Sequence, residues 1–173
     1  MPQIVYYVYA YARLLANEEI RGGEEINIVV PTGNFGNILA AYFAKKMGLP
    51  IRTLICASND NKVLYDFFTT GTYDRRREFI LTNSPSMDIL ISSNLERLIY
   101  LSAGCDAAAN ADLMRELAEE GRYTVTGSMR DFMSDFRGGF ATQKENAKAI
   151  RTIFQDTGYL IDTHTGVAAA VYD

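Results

Sequence analysis

Metal chemistry has little to work with in this sequence. It holds one histidine and two cysteines. Cys56 and Cys105 stand far apart, and no His/Cys spacing matches a zinc site, so no metal ligand is assigned. The cysteines read as reduced thiols in apolar surroundings, as in a cytoplasmic protein, and not as a disulfide framework. Basic residues are outnumbered, 17 Lys+Arg against 21 Asp+Glu, for a net charge of -4. That balance argues against a nucleic-acid surface, and the one basic cluster, Arg75-Arg76-Arg77 after Gly71, reads as a solvated loop. Long apolar runs are absent as well. The longest, Ile4 to Leu15, is interrupted by Arg13 and too short to cross a bilayer, and without a basic leader it does not read as a signal peptide.

What is present is an ordinary globular composition, 48% hydrophobic and 22% charged. Its 173 residues suit one α/β domain, 1–173, with a substantial core. One stretch organises the rest. The apolar run Ile26 to Val30 meets the turn-rich segment Pro31-Thr32-Gly33-Asn34-Phe35-Gly36-Asn37, which opens directly into the helix-like run Ile38 to Met47. The first N–H groups of a helix have no intrahelical partner, and the helix dipole adds partial positive charge there. Two glycines let the backbone curl so that several N–H groups converge on one spot. The product is a site for a phosphate or similar dianion, or else a tight, well-capped strand-to-helix turn. Gly-x-x-Gly is not a dinucleotide fingerprint, and no Gly-Lys-Ser/Thr ending follows to make a P-loop.

The surrounding pattern is a helix over 3–17, buried with tyrosines (Tyr6, Tyr7, Tyr9, Tyr11) almost all round it, then a strand at 26–30 buried on both faces. A helix at 37–47 and a strand at 51–57 follow, and then a helix capped by Asn59 or Asp60 and closed by Gly71. This α-β-α-β-α order predicts a largely parallel sheet with helices on both faces, with ligands at the carboxyl ends of its strands. Residues 72–91 read as irregular. Ser93-Asn94-Leu95-Glu96 and Thr142-Gln143-Lys144-Glu145 read as capping boxes. The first opens a helix with Leu95, Leu98, Ile99 and Ser102 on one stripe. The second opens a helix that buries Ala147, Ile150, Ile153 and Phe154. Between them lie a helix over 108–120 and a mixed segment from Gly127 to Phe140. Thr163 or Thr165 caps a final apolar helix, Val167 to Val171.

The string Pro31-Thr32-Gly33-Asn34-Phe35-Gly36-Asn37-Ile38-Leu39-Ala40-Ala41 resembles the glycine/asparagine loop of the threonine synthases. These are pyridoxal-phosphate enzymes of the tryptophan-synthase-β-like fold type. Three further stretches are similar to the same family and stand in its order. They are Pro2-Gln3-Ile4-Val5-Tyr6-Tyr7, then Ser84-Pro85-Ser86-Met87-Asp88-Ile89 with Ser92-Ser93-Asn94-Leu95-Glu96-Arg97, and Asp162-Thr163-His164-Thr165-Gly166-Val167-Ala168. The resemblance covers nearly the whole chain. It implies a tryptophan-synthase-β-like α/β domain, truncated at both ends and forming the middle of a longer enzyme.

The resemblance further implies that Gly33, Asn34, Phe35, Gly36 and Asn37 hold the phosphate of pyridoxal 5'-phosphate, with Phe35 packed into the core in preference to facing the cofactor. The implied activity is that of a lyase converting O-phospho-L-homoserine and water to L-threonine and phosphate. Ser93, Asn94 and Arg97, with Asp88 and Ser92 beside them, are candidates for the substrate's anionic group. A helix start with an arginine fork suits a phosphate or carboxylate, though the same residues also suit a capping box with a surface arginine. A cofactor of this kind needs a lysine. Lys45, Lys46, Lys62, Lys144 and Lys148 sit on exposed or terminal helix positions, so no catalytic residue is assigned. In the family that lysine lies N-terminal of the loop and the pyridine-nitrogen partner lies beyond residue 173, so the isolated chain is expected to be inactive. The alternatives are another fold-type-II enzyme of the threonine/serine dehydratase kind, or a non-catalytic module binding phosphate ligands. His164, at a helix start, is read as structural in preference to a proton shuttle. Asp131, Asp135 and Arg137 are read as surface charges. A severed sheet would expose apolar surface, so self-association is expected.

Overall fold

The computed structural model describes residues 2–172. In chain order the elements begin with α1 (Ile4–Ala16), β1 (Ile26–Pro31), α2 (Gly36–Lys46), β2 (Ile51–Ser58), α3 (Val63–Thr70) and β3 (Thr72–Asp74). A 3-10 turn (Pro85–Met87), α4 (Leu95–Ser102), α5 (Ala107–Glu120) and β4 (Arg122–Thr124) follow. The chain continues through α6 (Gly127–Phe132), β5 (Phe136–Phe140), α7 (Gln143–Thr157) and α8 (Thr163–Tyr172). Strands β1, β2 and β5 form a parallel sheet in that order, and β3 and β4 form a separate antiparallel ribbon.

Period-2 alternation splits the parallel sheet into two apolar faces. Ile28, Val30, Leu54, Cys56 and Phe136 point to the larger core, which holds the buried side chains of α2, α3 and α4. Val29 and Ala57 point the other way, onto Val167, Ala168 and Val171 of α8. Helices therefore cover both faces, as the α-β-α-β-α order predicts.

The strand β5 is the least strand-like in sequence, Phe-Arg-Gly-Gly-Phe, and was readable only as part of a mixed segment. Its glycines mark close approach. A Cβ on Gly138 would stand 3.0 Å from the Tyr65 Cα of α3, and one on Gly139 would overlap Val171 of α8. The two helices press on opposite faces of β5, and only a strand without side chains at these two positions admits both.

Several local expectations are corrected. In α1 only Tyr11 is buried, and Val5, Tyr6, Val8 and Tyr9 are exposed. The helix leans on the core through the narrow stripe Ile4, Tyr7 and Tyr11. In β1 only Val30 is fully buried, because β1 is an edge strand among the described residues. The stretch 72–91 contains β3 and the 3-10 turn. Lys62, not Asn59 or Asp60, stands at the cap position of α3. In α7 the buried residues are Asn146 and Ala149, while Phe154 is 51% exposed. Asp162, not a threonine, caps α8 by accepting from the N–H groups of His164 (2.8 Å) and Thr165 (3.3 Å).

Among the charged and thiol groups, Cys105 is exposed at the α4–α5 turn, whereas Cys56 is buried. Asp135 is no free surface charge, since it binds Lys45 at 2.6 Å and Lys46 at 3.3 Å. The arginine triple is anchored as well. Arg76 pairs with Asp74, Arg77 with Asp66, and Arg75 donates to the Ala118 carbonyl. Among the described residues, no helix is long and apolar enough to cross a membrane.

Candidate functional site

The strand β1 ends with Thr32 still tied to the sheet. Its N–H donates to Ala57 O at 2.8 Å, and its hydroxyl donates to Val30 O. Beyond it the chain turns sharply. Phe35, the residue before α2, has φ 63° and makes no side-chain cap. A left-handed phenylalanine costs about 1–2 kcal/mol. Burial of its ring offsets this. The ring is 1% exposed and packs on Phe68 and Phe136 with centroids 5.9 and 5.6 Å away. The core thus holds Phe35 by its side chain while its backbone bends into the concave, N–H-lined form that binds anions.

The hydrogen bonding of the turn is one-sided. Its carbonyls are taken. Ser92 Oγ donates to Gly33 O at 2.8 Å, and Asn94 donates to Asn34 O through Nδ2 (2.8 Å) and its backbone N–H (3.1 Å). Its N–H groups are not. Among the described residues, none of the backbone N–H groups from Gly33 to Ile38 donates to a protein acceptor. Such a row of donors at the start of a helix of this length suits an acceptor-only oxyanion.

The frame behind the turn is rigid. Buried Tyr73 accepts from Ser92 N–H at 2.8 Å and donates to Leu90 O at 3.0 Å, which fixes the residues that grip Gly33. Gly33 lies flat against the backbone of the 3-10 turn, where a Cβ would overlap Ser86 O. That turn is held in place by Asp88, whose carboxylate accepts from Asn59 Nδ2 (2.7 Å), Asn61 Nδ2 (3.0 Å) and the N–H and hydroxyl of Thr82 (both 2.8 Å). It is also held by His164 Nε2, which accepts from Ser86 N–H at 3.2 Å. Nδ1 of the same ring, 3.2 Å from Asp162 Oδ1, then carries the proton. His164 ties α8 to the turn.

The structure brings the two groups of candidate residues, read separately in the sequence, to one cleft. Gly33, Asn34, Phe35, Gly36 and Asn37 line one cleft of about 660 Å³ together with Gln3, Asn94 and Arg97. Ser93 stands beside it, its hydroxyl 3.5 Å from Asn34 Oδ1. Asp88 and Ser92 belong to the frame and not to the cleft. The capping box read at Ser93–Glu96 is not formed. Asn94 occupies the cap position of α4 without a side-chain cap bond, and Glu96 accepts from Asn110 Nδ2 instead. The Asn94 amide is diverted to Asn34, and the guanidinium of Arg97, one turn on, makes no protein hydrogen bond among the described residues.

Sequence reasoning missed Tyr7, whose hydroxyl donates to Asn37 Oδ1 at 2.7 Å. Burial pushes its phenol well above the ordinary range. Cys56, beneath Thr32, is pushed up to about 12 by burial and is no nucleophile. None of the residues lining the cleft is a lysine. Lys45 and Lys46 hold Asp135, and the Lys62 ammonium lies 4.2 Å from the centre of the Phe140 ring. A second cleft, between α3, α6 and β5 and including Arg130 and Arg137, contains none of the turn residues.

No protein-family model matches the chain. Individual proteins do. Human threonine synthase-like 1 is 43% identical over 175 residues, covering 100% of this chain and 24% of that protein. Threonine synthase of Saccharomyces cerevisiae is 38% identical over 181 residues, covering 96% of this chain and 35% of that enzyme. The crystal structure of PLP-bound threonine synthase from Brucella melitensis superposes with a TM-score of 0.90 at 42% identity, over 99% of this chain and 36% of that one. The chain is similar to threonine synthases in sequence and in fold. Its fold is that of the pyridoxal-phosphate enzymes of fold type II. It spans about a third of the length of the threonine synthases it matches, and about a quarter of threonine synthase-like 1.

Proposed function

We propose that residues 1–173, as one α/β unit, supply the phosphate-binding part of a pyridoxal-phosphate-dependent threonine synthase. The reaction is conversion of O-phospho-L-homoserine and water to L-threonine and phosphate. The observation that carries the reading is the turn from Gly33 to Asn37. Its carbonyls are held by α4, its N–H groups are unspent, and it lies in a chain 42% identical to a PLP-bound threonine synthase.

The residues present fit the cofactor's phosphate. The N–H groups of the turn and the Asn34 and Asn37 side chains offer donors, and a phosphate offers only acceptors. The cofactor supplies the electron sink for the proton removals and the phosphate elimination. The chain's own residues bind and orient. Asn94 keeps the Asn34 peptide plane fixed, and Ser93 and Arg97 at the mouth of the same cleft take the anionic group of the substrate. Arg97 suits that role because its guanidinium is uncommitted and can bind a phosphate or carboxylate through two N–H groups.

A second reading, a phosphate-ligand binder or sibling lyase with a different reaction, has one observation in its favour. The relatives at 43–45% identity carry the name threonine synthase-like, while the yeast threonine synthase stands at 38%. One experiment separates the readings. The natural polypeptide that carries this sequence is mixed with pyridoxal phosphate and O-phospho-L-homoserine, and both phosphate and threonine are quantified. Equal release of both, lost in Gly33→Asp, supports the synthase. Cofactor binding without threonine supports the sibling. Absence of cofactor binding removes both enzyme readings and leaves the phosphate-ligand binder.

The exposed apolar side chains of α1 (Val5, Tyr6, Val8 and Tyr9) carry the expectation of self-association for the 173-residue chain alone. Sedimentation showing a monodisperse monomer would remove it.

A further inference from the structure

We infer that Tyr7 is a positioning residue for the anion cradle: its hydroxyl turns the Asn37 side-chain amide so that the NH2 group, and not the oxygen, faces the bound anion. The inference rests on the phosphate-site reading above and extends it to a residue on another helix.

A side-chain amide has two unlike ends. Asn37 Oδ1 can only accept and Nδ2 can only donate, so the side chain presents one or the other to its surroundings. Tyr7 Oη donates to Oδ1 at 2.7 Å and lies 3.2 Å from the backbone carbonyl of the same residue. With Oδ1 engaged, Nδ2 keeps both hydrogens, and among the described residues it has no protein acceptor. Asn37 borders the cleft beside Gly36 and Asn34. Its amide is therefore a spare donor at the edge of a row of spare backbone donors.

The opposite orientation would set a carbonyl oxygen against a dianion and replace attraction with repulsion. No residue on α2 selects between the two. The choice is made from α1, where Ile4 and Tyr7 pack on the core that includes α2. The phenol keeps its proton across the neutral range, because burial disfavours its charged form. Tyr7 touches neither the cofactor nor the substrate in this account. It acts through Asn37.

The test uses the natural polypeptide that carries this sequence, with pyridoxine 5'-phosphate and pyridoxine as probes. Neither has an aldehyde, so no lysine chemistry enters, and calorimetry reads both dissociation constants. The ratio of the two constants isolates the phosphate. Tyr7→Phe is expected to weaken pyridoxine 5'-phosphate about tenfold, the size of one hydrogen bond to a charged group, and to leave pyridoxine unchanged. Asn37→Ala is expected to do the same, and Tyr7→Phe on top of Asn37→Ala to add nothing.

A further loss in the double variant, an equal loss for pyridoxine, or no effect of Tyr7→Phe overturns the inference. Asn37→Asp gives an answer that does not depend on replacing Tyr7. It puts a carboxylate oxygen where Nδ2 stood and should abolish the phosphate preference, so wild-type affinity in that variant also overturns the inference. If the wild-type protein itself shows no preference for the phosphate form, the phosphate-site reading falls and this inference with it.

Discussion

Helices α2 and α7 begin in opposite ways. The start of α7 is self-sufficient. Thr142 accepts from Glu145 N–H, and Glu145 accepts from Thr142 N–H at 2.8 Å. The start of α2 has no such cap. Phe35 at the cap position turns its ring into the core, and the N–H groups from Gly33 to Ile38 find no protein acceptor among the described residues. What α2 has instead is a scaffold that holds its carbonyls and its backbone shape from outside, through Ser92, Asn94 and the Phe68–Phe136 pair. A helix start that meets its own needs is architecture. One that leaves them unmet while other elements immobilise it has donors to spare, which is what the proposed anion site requires.

The sharpest way to break this contrast is to remove what holds α2 open. Phe35→Ala takes a fully buried ring from the core and keeps a left-handed residue in place. The expected cost is about 3–5 kcal/mol, read as a shift of the denaturant midpoint, with loss of pyridoxine 5'-phosphate binding. Next in size is Gly33→Asp. Its Cβ overlaps Ser86 O and its carboxylate enters the cradle. About 1–3 kcal/mol of overpacking is expected, along with more than about a hundredfold weaker phosphate binding, so calorimetry should change more than the melting curve. Asn94→Ala is smaller. It removes one of the two donors to Asn34 O, leaves the backbone N–H at 3.1 Å in place, and removes no helix cap, because the Asn94 side chain makes none. About a tenfold loss of phosphate affinity is expected with little loss of stability. A stability loss as large as that of Phe35→Ala would mean that Asn94 is architecture after all.

The contrast also explains how much of the molecule was legible in the sequence. The parallel sheet followed from apolar runs alternating with helical ones. The glycine turn followed from strand, punctuation and helix in succession, and the Thr142 capping box is local chemistry that needs no tertiary partner. The failures were places where a distant element overrides a local motif. Ser93-Asn94-Leu95-Glu96 has the spelling of a capping box, but Asn34 across the cleft claims Asn94, and Asn110 claims Glu96. The Phe-Arg-Gly-Gly-Phe strand has poor strand propensity because two helices require its glycines. The tyrosines of α1 read as buried all round because periodicity cannot say how narrow the contact stripe is. Tyr7 was therefore counted as core, and its hydroxyl went unnoticed.

The smallest effect lies at α7 and serves as the control. Thr142→Ala should cost about 1 kcal/mol of stability and leave ligand affinity unchanged, since α7 lies outside the cleft. Its pH dependence has a defined sign. The Glu145 carboxyl is held below its ordinary 4.5 by the Thr142 N–H first and the Thr142 hydroxyl second. A carboxyl lowered by folding stabilises the fold above its unfolded pKa, and that contribution fades as pH falls through the lowered value. Replacing Thr142 removes the hydroxyl's share. The stability difference between wild type and Thr142→Ala should therefore be full near neutrality and shrink on acidification below the ordinary 4.5. It should not vanish there, because the hydroxyl still accepts from Glu145 N–H when the carboxyl is protonated. A difference that grows in acid would mean that the box is not formed in solution. The helix starts would then no longer differ in the way that supports the proposed anion site at α2.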